Sequence, residues 1–357
     1  MSVSAIGNGS TAAWTMFDDK KLYPFKFIPV SSEKPWGGDT HLVADLGYID
    51  SMVDNGWLGG NTIAEVMQTY LERVVGETAF EWYGTQFPVL VKFLTVRGRT
   101  SLHVNPDDLT AEQRYDAFGK TALWYVADAG KDAMLWMGFR RDVSPAEFYE
   151  KCQDGSVEDL LNVVRPVKGE SYLIPPGLVH GASGALSLVE ISECSDLFFR
   201  VHDWNRADRE THLEEAFDLV DFKAWDPSLR HGASRQEGSL TERLAASGAF
   251  TVTEIALSDP IHIYSEEEQS FQLYTCVRGA AVIEVPSEEG KASERFPVKA
   301  GEVLLVPAEV HDFYLVPSDR DTVLLETILE PRTETDSYTG DPETAASRPL
   351  PKGPSLL

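Results

Sequence analysis

One phrase occurs twice in this sequence. Gly169, Pro175, Gly177 and His180 return as Gly301, Pro307, Glu309 and His311, with Glu309 in place of the second glycine. Each copy describes a strand entered at a glycine, a tight turn at the proline, and a histidine on the following strand whose imidazole points inward. Both copies sit in their own stretch of β pattern, so the chain is expected to hold two homologous β units. Its 357 residues also exceed what a single hydrophobic core usually supports.

Before the first unit, Ile63, Val66, Met67, Tyr70, Leu71 and Val74 recur at helical spacing behind a Thr62-x-x-Glu65 capping box, with Gly76 as a stop. The spacing predicts one amphipathic helix. From Pro88 the pattern becomes short runs rich in β-branched and aromatic residues, broken by Gly, Pro and Asp. Ser144-Pro145-Ala146-Glu147 and Ser156-Val157-Glu158-Asp159 read as the starts of two short inserted helices across 144–165. The expected organisation is a first β domain over 1–204, a polar, partly helical connection over 205–248, a second β domain over 249–330, and a polar tail over 331–357 that drapes on the surface or moves.

Composition narrows the function. A formal charge of -26 with no basic stripe would repel a phosphate backbone, which argues against nucleic-acid binding. An anionic small substrate would need a local cationic pocket, which the stretch from Lys92 to Arg99 could supply with Lys120 and Arg200. No apolar run approaches the ~20 residues that span a bilayer, so no membrane partner is expected. The first residues lack a secretory pattern, and the expected location is the cytoplasm. Cys152, Cys194 and Cys276 read as reduced packing residues.

The repeated phrase resembles the second conserved motif of the cupin superfamily, which implies a mainly β fold of two cupin jelly-roll sandwiches with helices inserted in and before the first. The blocks Trp36-Gly37-Gly38, Phe87 to Phe93, Asn105-Pro106-Asp107-Asp108, Gly119-Lys120-Thr121, Ile174 to His180 and Ser195-Asp196 through Arg200, Asp203, Trp204 and Arg206 stand in the order of the class I mannose-6-phosphate isomerases. The resemblance covers roughly residues 22 to 330.

That resemblance implies a divalent metal, most often zinc, held by a Gln-x-His pair, a glutamate after Gly-Lys-Thr and a histidine after the Pro-Gly turn. Here His103 stands at the glutamine position, Asn105 at the histidine position and Ala122 at the glutamate position, while His180 is retained. Two residues apart on a strand, His103 and Asn105 face the same side. With His180 they could offer two imidazoles and a carbonyl oxygen, and the alternative is a pair of hydrogen-bonded core histidines. The resemblance further implies Glu190, Asp196 and Arg200 around the sugar and Ser101 and Lys120 near the phosphate end. Trp36 either stacks on the sugar or plugs the barrel mouth, and His311 is expected to be structural.

The implied function is aldose–ketose isomerisation of a sugar phosphate, mannose 6-phosphate to fructose 6-phosphate. Proton transfer between adjacent carbons through an enediol needs a base, carbonyl polarisation and charge for the oxyanion. Glu190 is the expected base, Arg200 and Lys120 the expected cations. The alternative is a catalytically silent cupin that binds a sugar or sugar phosphate after loss of its metal ligands.

Overall fold

A computed structural model describes residues 20–206, 209–232, 240–264, 270–287 and 292–329. The expected tail, 331–357, lies outside the described residues. The chain is mainly β, in two antiparallel sandwiches. In the first, a seven-stranded sheet, Arg230–His231, Ser171–Ile174, Ala122–Ala129, Leu186–Glu193, Val89–Val96, Gly37–Val43 and Val30–Lys34, faces a five-stranded sheet, Phe199–His202, Leu102–Val104, His180–Ser183, Met134–Phe139 and Leu161–Val164. In the second, a seven-stranded sheet built on Thr251–Leu257, Thr322–Ile328, Gln272–Arg278 and Val303–Val306 faces the four strands Ile261–Tyr264, Asp312–Pro317, Ala280–Val285 and Glu294–Lys299. Among the described residues no helix is long and apolar enough to cross a membrane.

The two seven-stranded sheets pack back to back. Val89, Val91, Leu123, Val189 and Ile191 of one share a cluster with Val252, Leu273, Val303, Leu305 and Leu325 of the other. Each large sheet is therefore covered on both faces, which is why its strands read as nearly continuous apolar runs. The opposite faces line the two barrel interiors, where Leu94, Trp124, Val126 and Leu188 meet Leu135, Met137 and Ala182 in the first unit, and Tyr274, Leu304 and Leu324 meet Ile283, Phe313 and Leu315 in the second. The start of the chain crosses over: Phe25–Ile28 pairs with Val303–Val306 of the second unit.

The repeated phrase gives matching turns. Gly169 and Gly301 adopt φ of +89° and +88°. At the following hairpins Leu178 N–H donates to the Pro175 carbonyl and Val310 N–H to the Pro307 carbonyl. The turns then diverge. Gly177 is at φ +84°, whereas Glu309 does not have positive φ, so the second turn tolerates a side chain. Its carboxylate binds Arg73 Nε at 2.7 Å and ties the hairpin to the helical segment.

That segment departs from the single helix expected. The capping box at Thr62 and Glu65 forms, but the helix Ile63–Tyr70 ends at Leu71, whose φ is 49°, and two short helices follow, Glu72–Val75 and Glu77–Tyr83. The second stop, at Gly76 with φ +89°, frees the carbonyls of Arg73, Val74 and Val75, which accept hydrogen bonds from the backbone N–H groups of Glu309, Ala308 and Phe271 of the second unit. A continuous helix would have used those acceptors internally.

Candidate functional site

Two cross-strand rows meet inside the first sandwich. On the seven-stranded sheet His41 pairs with Lys92, Lys92 with Glu190, and Glu190 with Trp124. Register partners share a face, and here it is the inner one that carries Leu94, Leu188 and Val126. On the five-stranded sheet Arg200 pairs with His103 and His103 with His180. The hairpin at Pro175 delivers His180 to this second row.

The rings of His103 and His180 lie 4.1 Å apart between centroids at 58°. Trp124 meets His180 edge-on at 5.2 Å, and Phe198 meets His103 at 5.0 Å. Each imidazole is fixed through Nδ1, which lies 3.1 Å from the Ser101 carbonyl in His103 and 2.8 Å from the Leu178 carbonyl in His180. A carbonyl only accepts, so Nδ1 carries the proton and the Nε2 lone pair is left to the interior. Burial, opposed by the Leu178 hydrogen bond and Glu190 and reinforced by Lys120, brings the pKa of His180 down to about 4. Burial and the neighbouring His180 hold His103 well below the usual imidazole range. Both rings are neutral at pH 7.

Beneath them lies a charged network. Glu190, 7% exposed, accepts from Lys120 Nζ at 3.1 Å and from Trp124 Nε1 at 2.8 Å, with Lys92 Nζ at 3.9 Å. Lys92, 4% exposed, reaches Asp196 at 2.7 Å, and Asp196 also accepts from the Tyr48 hydroxyl at 2.5 Å. Two ammonium groups thus face two carboxylates. Burial alone would raise the pKa of Glu190, but Lys120, Lys92 and the two hydrogen bonds outweigh it and hold it at about 2. Asp196 is likewise held below the usual carboxylate range, burial being overcome by Lys92 and Lys120. At rest Glu190 is therefore a paired anion.

The other expected residues are placed as follows. Lys120 is buried and its ammonium is committed to Glu190. Ser101 is buried and serves the site through its backbone carbonyl on His103. Trp36 is partly buried and packs on the inner apolar cluster. Arg200 sits over the Phe198 ring at 5.3 Å and donates through Nη1 to the Glu210 carbonyl, while its Nε is buried without a partner among the described residues. It stands one ring away from His103. His311, in the second unit, has an Nδ1 without a partner among the described residues, and the interior of that unit is filled by apolar side chains.

Asn105 is 1% exposed, and neither its Oδ1 nor its Nδ2 has a partner among the described residues. An amide buried this way is costly unless something is bound to it. An amide oxygen and two imidazole Nε2 atoms are donor types that a divalent cation of the zinc class accepts. The backbone carbonyls on both Nδ1 atoms are the outer partners that metal-binding imidazoles use. No carboxylate completes the set: Ala122 is buried in the apolar cluster, and no group of three or more His, Cys, Asp or Glu side chains suited to a metal occurs among the described residues.

A cleft of about 410 Å³ opens beside this site, lined by Tyr48, Phe118, Ser195 and Asp196 among others. Of the residues expected to contact substrate it includes Asp196, whereas Trp36, Ser101, Lys120, Glu190 and Arg200 do not line it. Sequence reasoning missed Trp124, Phe198, Tyr48 and His41, and treated Lys92 only as part of a cationic stretch. One signal was available: in strands apolar on both faces, Lys92 and Glu190 are the charged exceptions.

No protein-family model matches this chain. Among curated proteins it is similar to a mannose-6-phosphate isomerase of Bacillus subtilis, 27% identical over an alignment of 323 residues that covers 82% of this chain and 95% of the relative. A putative mannose-6-phosphate isomerase of the same organism is 27% identical over 81% of this chain and 95% of its own. The crystal structure of mannose 6-phosphate isomerase from Bacillus subtilis superposes with a TM-score of 0.74 at 23% identity, covering 86% of this chain and 99% of that one. This chain is thus similar to mannose-6-phosphate isomerases over most of its length, and it has the fold of the solved one. The structure of a putative mannosephosphate isomerase from Archaeoglobus fulgidus, at a TM-score of 0.69 and 18% identity, repeats the likeness of fold.

Proposed function

We propose that this chain is an aldose–ketose isomerase acting on a sugar phosphate, with mannose 6-phosphate and fructose 6-phosphate as its pair, in the cytoplasm. The observation that carries the reading is the meeting of two neutral imidazoles, both with free Nε2, and a Lys–Glu–Lys–Asp network whose first three members are buried, inside one barrel. A silent binder has no need to keep three buried charges, Lys92, Lys120 and Glu190, mutually paired at the cost of desolvating them. Similarity to the isomerases over most of the chain supports the same reading.

The network also suggests how a base is produced. Glu190 is held ionised chiefly by Lys120 and Lys92 against a burial that favours the neutral acid. An anionic substrate that draws the Lys120 ammonium toward its phosphate removes the largest of those supports. The carboxyl pKa then climbs toward the range useful for abstracting a proton from carbon. Arg200, one aromatic ring from His103, supplies positive charge as the enediolate forms. A divalent cation held by His103, His180 and the Asn105 side-chain oxygen would supply Lewis-acid polarisation of the carbonyl.

The test is a coupled assay for fructose 6-phosphate formed from mannose 6-phosphate, with and without added zinc. Turnover is expected, and Arg200→Ala should lower kcat by about two to three orders of magnitude. Sugar-phosphate binding without turnover under any divalent metal refutes the reading and makes the chain a binder.

A further inference from the structure

The strand Gly37–Val43 contributes two more inward-facing residues that the chemistry above does not use. Asp39 is paired in register with Leu94 and His41 with Lys92, so both share the inner face with Glu190 and Trp124. Asp39 is 8% exposed and His41 is 2% exposed. Three of their polar atoms have no partner among the described residues: Asp39 Oδ1 and both ring nitrogens of His41. Asp39 Oδ2 lies 3.4 Å from Lys34 Nζ. The charged groups acting on His41 are Lys92, Asp39, Asp196 and Lys34, and Tyr48 is acted on by both Asp196 and Asp39. Tyr48 and Asp196 line the 410 Å³ cleft, and Lys92, the register partner of His41, is bonded to Asp196 at 2.7 Å.

We propose that Asp39 and His41 form a subsite that reads hydroxyl groups of the sugar chain beyond its reacting carbons, which makes them specificity-determining residues; the inference rests on the isomerase reading. The chemistry follows from the unpartnered atoms. A neutral imidazole offers one donor and one acceptor, and Asp39 Oδ1 offers an acceptor. A hydroxyl both donates and accepts, so a neighbouring pair of hydroxyls satisfies all three. A phosphate dianion has only acceptors to give and would stand against Asp39 and Asp196, so the anionic end of the substrate lies elsewhere. The reach is suitable: His41 is two strands from Glu190, about 10 Å at the spacing of a sheet, and the inward side chains shorten it further. A buried site built to bond a hydroxyl rejects an analogue without it far more strongly than an apolar pocket discriminates.

The experiment uses the full chain and the non-reacting probe mannitol 6-phosphate, with its 3-deoxy and 4-deoxy analogues, by titration calorimetry. His41→Phe should weaken binding of the parent probe about ten- to a hundredfold. His41→Gln, which keeps a donor and an acceptor, should stay within a few fold of wild type. For the analogue lacking the hydroxyl that His41 reads, His41→Phe and wild type should bind alike. In turnover, His41→Phe should raise KM with kcat nearly unchanged. A loss in His41→Phe that is equal for every analogue, or no loss at all, overturns the subsite and leaves the isomerase reading standing. Failure of the wild-type chain to bind mannitol 6-phosphate overturns both.

Discussion

The neutral state of His180 makes a measurable demand on stability. Its pKa is brought down from the model-peptide 6.5 to about 4 by burial in the barrel. A depressed imidazole is protonated in the unfolded chain before it is protonated in the folded one, so the unfolded state binds more protons between those two values. Stability is therefore full above pH 6.5 and falls as the pH drops toward 4. The full shift corresponds to about 3 kcal/mol, most of which is lost by pH 4.5. His180→Gln keeps a polar group of similar size that does not titrate. Urea unfolding of both proteins at pH 7.0, 5.5 and 4.5 isolates the histidine, because the carboxylates common to both cancel in the difference. The stability advantage of the wild type over the variant should shrink by about 2 to 3 kcal/mol between pH 7.0 and 4.5. Parallel pH profiles for the two proteins would refute the reasoning and mean that His180 titrates as an exposed imidazole.

Three further outcomes are expected. Lys92→Met leaves Glu190 and Asp196 without their shared cation and should lower unfolding free energy by about 3 to 5 kcal/mol. Adding Glu190→Gln should recover part of that loss in the same urea titration. Leu71→Gly removes the penalty of a side chain at φ 49° and should raise stability by about 1 kcal/mol, read as a rise in Tm. Asn105→His with Ala122→Glu returns an imidazole and a carboxylate to the histidine pair and should raise zinc retained after dialysis, measured by elemental analysis. Unchanged zinc content would show that these two positions do not face the His103–His180 pair.

Much of the architecture is already legible in the sequence because its signals are local. The paired phrase at Gly169 and Gly301 announces two alike β units, since a glycine at positive φ and a proline turn are demands of the backbone itself. The capping box at Thr62 likewise marks a helix start wherever the chain folds. His103 and His180 could be named as a pair because strand periodicity orients one and a hairpin delivers the other. Tertiary structure decided what local pattern does not carry. The helical segment stops again at Gly76, where the carbonyls of Arg73, Val74 and Val75 take partners on a unit more than a hundred residues away. Glu190 looked like a base because its type and position suit one, but its basicity depends on Lys92 and Lys120, brought to it from other strands. His41 and Asp39 carried no signal at all, because a histidine and an aspartate in an early strand become a site only when another sheet closes over them. Side-chain type and spacing belong to the sequence, whereas protonation state and available hydrogen-bond partners belong to the packed interior, where the low dielectric makes each neighbour count.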